Sequence, residues 1–231
     1  VFGRTTSFQF RTATDKAPSN VRRMTGATHI VDGAFRRDGS NVRVDVEFID
    51  ARNGASLWQA SYKQPLENGL AAEADIARKV ARELHVAEPD IAAPPLSQAA
   101  LAHFLRTVNL LDQPTDVVQD LDAAADNLEA ATQQAPNFAR AWALLAKIYT
   151  LQSRRHNEDE QAALIDKARD AARQALALDP HAALAEAMLG RVEPEWNWQG
   201  RQKHFLQALA LAPNDVEVLG YWKDFLGRTG R

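Results

Sequence analysis

Six histidines, His29, His85, His103, His156, His181 and His204, are the most versatile ligands and acid–base groups in the chain. No two of them stand at i+2, i+3 or i+4, the short separations that aim two imidazoles at one ion. Structural or solvated roles are therefore expected for all six. The run Glu158-Asp159-Glu160 has the charge of a cation loop, but a helix N-terminus accounts for it better. Negative side chains there oppose the positive end of the helix dipole. Asp120 and Asp122 are two residues apart, so on a helix they diverge and cannot work as an acid/base pair across one substrate. No glycine-rich loop is spaced to cradle phosphate, and neither a P-loop nor a G-x-S-x-G pattern occurs. The absence of cysteine removes thiol nucleophiles, Cys-ligated zinc and disulfides together. The expectation is a chain with no catalytic residue, no cofactor and no metal. Trp196 and Trp198 could stack on a flat ligand, but in an Ala-rich helical array large aromatics are expected to fill the gaps between helix pairs. Arg36-Arg37, beside a turn, reads as a charged edge that discourages strand-to-strand aggregation.

Composition supports this. The 231 residues are 45% hydrophobic and 25% charged, values of an ordinary globular chain with room for two modest domains. Formal net charge is −3, and splitting after Asp90 leaves 13 basic and 12 acidic residues before the cut and 14 and 18 after it. Neither part is a polycation, so direct nucleic-acid contact is not expected. No stretch approaches the roughly 18 consecutive apolar residues of a membrane span. No basic segment followed by an apolar one marks a signal peptide. The chain reads as a piece of a longer protein, and both periplasm and cytoplasm suit a cysteine-free sequence.

Two periodicities divide the chain. In Asn41 to Asp50, Val42, Val44, Val46 and Phe48 alternate with Arg43, Asp45 and Glu47, the signature of a half-buried strand. Thr28 to Arg37 predicts a strand before it, across Asp38-Gly39-Ser40. Asn53-Gly54 predicts a tight type I′ turn into a third strand, Ser56 to Lys63, with Trp58, Ala60 and Tyr62 on one face. Thr5 to Arg11 predicts one more strand, and Pro18 to Thr25 a short helix. From Leu66 the period lengthens: Ile76, Val80 and Leu84, with Ala77 and Ala81, form one helix face expected to pack on the sheet. Pro89, Pro94 and Pro95 mark a linker.

The remainder is helical and repeats. Pro136, Pro180 and Pro213 each follow an Ala-rich helical segment. The last two prolines are 33 residues apart and the first two 44, which predicts one unit plus an insertion of about ten residues near Arg154 to Glu160. Trp142, Leu145, Ala146 and Tyr149 resemble the first-helix pattern of the tetratricopeptide repeat. Ala168, Ala172, Ala175 and Pro180 resemble its second-helix pattern. Leu189, Gly190, Phe205, Ala208 and Pro213 match in the next unit, where Glu186 and Glu193 depart from the large apolar residues of the pattern. Leu219, Trp222 and Leu226 resemble a further first helix. Since a single repeat cannot bury its own face, the array also reads as cut.

The front part has its own resemblance. Gly26-Ala27-Thr28-His29-Ile30-Val31-Asp32-Gly33-Ala34-Phe35-Arg36-Arg37, the Val-rich strand, and Ile49-Asp50-Ala51-Arg52-Asn53-Gly54 through Leu57-Trp58 resemble the TolB-like/FlgO-like α/β domain. That family opens with a further strand and helix, which implies a partial domain here. The resemblances together imply an α+β protein: a partial TolB-like α/β domain with an antiparallel meander over 1–87, a linker over 88–97, and an all-α tetratricopeptide-type superhelix over 98–231. In bacteria this combination is similar to the sensory part of CadC-like regulators, or to regions attached to class III adenylate cyclases; the Trp196-Asn197-Trp198 segment also occurs in that architecture.

In such arrays the first helices line the concave surface, and matching repeat positions puts Arg140, Lys147 and Arg191 toward that groove. Three cations there are suited to gripping a carboxylate of a protein or peptide partner. The function implied is a non-catalytic sensory or interaction region of a membrane-associated winged-helix transcriptional regulator. The regulatory region of a class III adenylate cyclase and a free-standing scaffold or envelope protein are the alternatives. Signalling would then work by repositioning or homodimerisation on partner binding.

Overall fold

Valines at alternate positions of residues 41–50 build the central strand of a three-stranded antiparallel sheet. The computed structural model describes residues 10, 17–38, 41–65, 69–86, 96–111, 120–155 and 157–230. A short helix, α1 (Pro18–Thr25), ends at Gly26, whose φ of 74° closes the helix in the left-handed region. Strands β1 (His29–Asp38), β2 (Asn41–Asp50) and β3 (Ala55–Pro65) follow in the spatial order β1-β2-β3. The expected strand at Thr5 to Arg11 lies outside the described residues except for Phe10, and so does most of the expected linker.

The β2–β3 connection departs from the expected type I′ hairpin. Asp50 pairs with Ala55, leaving a four-residue loop from Ala51 to Gly54. Only Gly54 has positive φ, at 74°, and its N–H donates to the Asp50 carbonyl at 2.8 Å. The Asp50 side chain reshapes the turn: Oδ1 accepts from the Arg52 N–H at 2.8 Å, and Oδ2 meets the Arg52 guanidinium at 2.6 Å. An aspartate folded onto its own turn holds a longer loop than an Asn-Gly pair alone would select.

One face of the sheet is apolar. Phe48 (1% exposed) and Val46 (6% exposed) are its buried centre, and Phe48 lies against His29 and Trp58 with ring centres 5.3 and 5.9 Å away. Helix α2 (Gly69–Glu83) packs on β2 and β3, and Ala74 and Ala81, seven residues apart on one face of it, are buried. A polar clasp holds it there. The Tyr62 hydroxyl donates to Asp75 at 2.8 Å and accepts from Lys79 at 3.0 Å, and Lys79 and Asp75 are 3.2 Å apart one turn along the helix. Leu84, expected on the packed face, lies beyond the helix and is 38% exposed.

The second compact unit contains α3 (Gln98–Leu111), α4 (Leu121–Gln134), α5 (Ala139–Gln152), a 3₁₀ turn (Ser153–Arg155), α6 (Glu158–Leu178), α7 (Ala183–Val192), α8 (Trp198–Leu211) and α9 (Val216–Thr229). Contacts are densest for α5 with α6 and α7 with α8, the antiparallel pairs that the repeat spacing predicts. The pattern residues Leu145, Ala146, Tyr149, Ala168, Ala172, Ala175, Phe205 and Ala208 are all buried at these crossings. Helix starts are set locally: Asp120, Asn157, Asn197 and Asp215 each accept a backbone N–H of the helix they precede.

The lengthened unit is not a looped insertion. Most of the difference lies in α6, which has 21 residues against 14 in α4 and in α8. Asn157 caps it, and Glu158, Asp159 and Glu160 fill its first turn, where the helix dipole favours negative charge. Helix α7 is short, 10 residues against 14 in α5 and α9. Pro194 forces the preceding Glu193 into extended geometry, ψ 140°, and ends the helix early.

Candidate functional site

Lys147 and Arg191 sit on the first helices α5 and α7, and both meet side chains of a later first helix, α9. Glu217, Tyr221 and Asp224 lie at i, i+4 and i+7 of α9 and so share one helix face. Lys147 Nζ is 2.6 Å from Glu217 Oε1, with side chains 19% and 36% exposed. The Tyr221 hydroxyl donates to the same Glu217 oxygen at 2.6 Å. Arg191, only 8% exposed, is 3.6 Å from Asp224 and places its guanidinium carbon 5.2 Å from the centre of the Tyr221 ring. Burial, then the Glu217 carboxylate, pushes the Tyr221 phenol far above its ordinary range, so it stays a proton donor.

Arg140 stands apart from this network. It occupies the first turn of α5, is exposed, and holds its guanidinium carbon 5.9 Å from the Phe104 ring of α3. The structure thus joins Lys147 and Arg191 through α9 and sets Arg140 toward α3. It also shows that Lys147 and Arg191 already have carboxylate partners within the chain. Sequence reasoning named the cations and missed the acids, although the i, i+4, i+7 spacing of Glu217, Tyr221 and Asp224 was a readable signal.

Several other chemistry-bearing residues have structural partners. His204 Nδ1 lies 2.8 Å from Glu186, whose position in the repeat pattern belongs to a large apolar residue. Glu193, the second departure, accepts from Asn197 at 2.9 Å. His103 meets Asn127 at 2.9 Å. Asp120 caps α4, while Asp122 accepts from Gln152 at 2.7 Å. Among the described residues no cluster of three or more His, Asp or Glu side chains has the geometry of a metal site. Among them, too, no helix is long and apolar enough to cross a membrane.

Trp196 and Trp198 overturn the expectation that they fill gaps between helix pairs. They are 82% and 41% exposed, because Asn197 caps α8 directly after the Pro194–Trp196 turn and leaves Trp196 outside the packed helices.

No family model matches the chain. It is similar to a curated Rhizobium meliloti (strain 1021) protein, "Putative adenylate cyclase 3", with 28% identity over 88 residues. That match takes in 37% of this chain and 14% of the relative, so the chain spans only a small part of the relative's length. Among solved structures it is similar to the Arabidopsis OM64 TPR domain, with TM-score 0.45 and 13% identity over 57% of this chain and 97% of that one. A second is the first TPR of Spaghetti (RPAP3) bound to the HSP90 peptide SRMEEVD, with TM-score 0.44 and 17% identity over 58% of this chain and 98% of that one.

Proposed function

We propose that this chain is a non-catalytic interaction region of a larger bacterial signalling protein, and that its helical unit captures a carboxylate-bearing protein or peptide. The observation that carries this reading is the charged network along α5, α7 and α9: Lys147 and Arg191 held ready by Glu217, Tyr221 and Asp224. Binding is an exchange of ion pairs, in which a partner's carboxylates replace those of α9, with Arg140 extending the cationic surface. Exchange conserves the number of charge-assisted hydrogen bonds, so affinity is modest and falls with salt.

The likeness to a cyclase favours the regulatory region of an adenylate cyclase over that of a membrane-associated winged-helix regulator. Sequence flanking this region in its gene tests the choice. Paired metal-binding aspartates in a catalytic domain support the cyclase, a basic winged-helix segment supports the regulator, and a signal peptide without an effector supports a free-standing scaffold.

Binding is tested with labelled acidic peptides by fluorescence anisotropy at low salt. Arg140→Ala with Lys147→Ala is expected to weaken capture severalfold while the helical circular dichroism stays unchanged. Equal binding by the variant would overturn the assignment of the groove.

A further inference from the structure

The face of the sheet opposite Phe48 carries an ordered charge pattern. Strand register sets three cross-strand rows on it. Arg36 lies opposite Arg43, which lies opposite Lys63; Ala34, Asp45 and Ser61 form the next row; Asp32 lies opposite Glu47, which lies opposite Gln59. All nine side chains are exposed or half-exposed. Cations therefore gather at one end of the face and acids at the other, separated along β2 by roughly 13 Å at about 3.3 Å per residue.

Within one chain this arrangement is unfavourable. Like charges directly opposite one another across a strand pair are destabilising, and both Arg36–Arg43 and Asp32–Glu47 are such pairs. Exchanging Arg43 and Glu47 would set opposite charges in both pairs with the same composition and the same solubility. Some of these groups also have partners within the chain: Asp45 lies 2.9 Å from Arg43 and accepts from Ser61 at 2.6 Å, and Glu47 accepts from Gln59 at 2.9 Å.

The pattern is self-complementary. A half-turn about an axis across the strands, through the Ala34-Asp45-Ser61 row, turns a second copy face to face and reverses its strands. Its Asp32 and Glu47 then lie over Arg36 and Arg43, and its own cations over Asp32 and Glu47. The two Asp45 residues meet near the axis, each already paired with its own Arg43 and Ser61. A twofold contact needs this property, because the same patch serves both partners.

We propose that this polar face is a self-association surface, on which two copies pair antiparallel through Arg36 and Arg43 against Asp32 and Glu47. Three strands about 4.8 Å apart and five residues long cover roughly 250 Å² per copy, well under the about 800 Å² per partner of a stable complex. The dimer is accordingly weak, salt-sensitive and reversible, as a signalling contact requires. This inference stands independently of the peptide groove.

Sedimentation velocity on the whole chain tests it at low ionic strength, about 0.01 M, where screening is least. Wild type is expected to self-associate and to become monomeric in high salt. The all-acidic variant (Arg36→Glu with Arg43→Glu) and the all-basic variant (Asp32→Arg with Glu47→Arg) are each expected to be monomeric, and to form a heterodimer when mixed. The fourfold exchange of all these charges restores self-association. The neutral variant Arg36→Gln with Glu47→Gln, which introduces no repulsion that could disturb folding, weakens association. A monomeric wild type, self-association unchanged in the neutral variant, or folded charge variants that fail to pair on mixing would each overturn the proposal.

Discussion

Removing the Glu217 carboxylate should cost the helical unit more than removing its partner Lys147, although the two form one ion pair. Lys147 Nζ pairs with Glu217 at 2.6 Å, and with Glu217 about one-third exposed the pair is partly screened. Lys147→Ala is expected to lower stability by about 0.5–1 kcal/mol at low salt. Glu217 is also the acceptor for the Tyr221 hydroxyl at 2.6 Å, on a phenol that burial keeps protonated. Glu217→Ala leaves that donor unsatisfied, which adds about 1–3 kcal/mol. Glu217→Gln keeps an acceptor for Tyr221 and loses only the charge, so its cost returns to that of Lys147→Ala. It also frees Lys147, and should tighten capture of an acidic peptide. Urea unfolding followed by circular dichroism, with the Lys147→Ala/Glu217→Ala double variant to complete the cycle, measures each difference. Equal costs for Lys147→Ala and Glu217→Ala would refute the reasoning, since Tyr221 would then not depend on Glu217.

Two further outcomes follow from the packing and the turn. Gly190 lies where α7 crosses α8, and a Cβ there would stand 3.0–3.1 Å from three ring atoms of Phe205. Phe205 is 1% exposed and backed by Phe225 at 5.4 Å, so its ring has little room to retreat. Gly190→Ala gains up to about 1 kcal/mol of helix propensity and loses about 1–3 kcal/mol to overpacking; thermal unfolding should show net destabilisation, and a raised melting temperature would contradict this contact. Asp50 is held at a pKa of about 2, below the ordinary 3.8, by hydrogen bonds from the Arg52 side chain and backbone. A depressed folded pKa contributes stability that is complete above about pH 4 and is lost as pH falls toward 2. Acid titration of Asp50→Asn should lack that part of the pH dependence, and an unchanged acid profile would remove Asp50 from the turn's account.

Local rules made much of the fold legible in sequence. Strict alternation in residues 41–50 sets which side chains of β2 share a face, because a shift of one residue would turn Phe48 and Val46 outward. The prolines at 136, 180 and 213 and the caps Asp120, Asn157, Asn197 and Asp215 mark helix ends through backbone hydrogen bonds only a few residues long. The acidic run at 158–160 belongs to the same class, an effect that reaches no further than one helical turn.

Where local signals compete or a partner is distant in sequence, spacing was silent. Asn53-Gly54 alone selects a tight turn, but Asp50 folding back onto Arg52 makes the loop longer. The lengthened repeat could have become loop or helix, and packing of α6 along α5 favoured helix. Exposure of Trp196 follows from where Pro194 stops α7 and Asn197 starts α8. Sequence by itself determined that Lys147 and Arg191 lie on first helices of a repeat. Only the tertiary structure decided that these cations meet Glu217 and Asp224, because burying charge beside α9 requires a counter-charge there and the chain supplies it from a helix folded back against them.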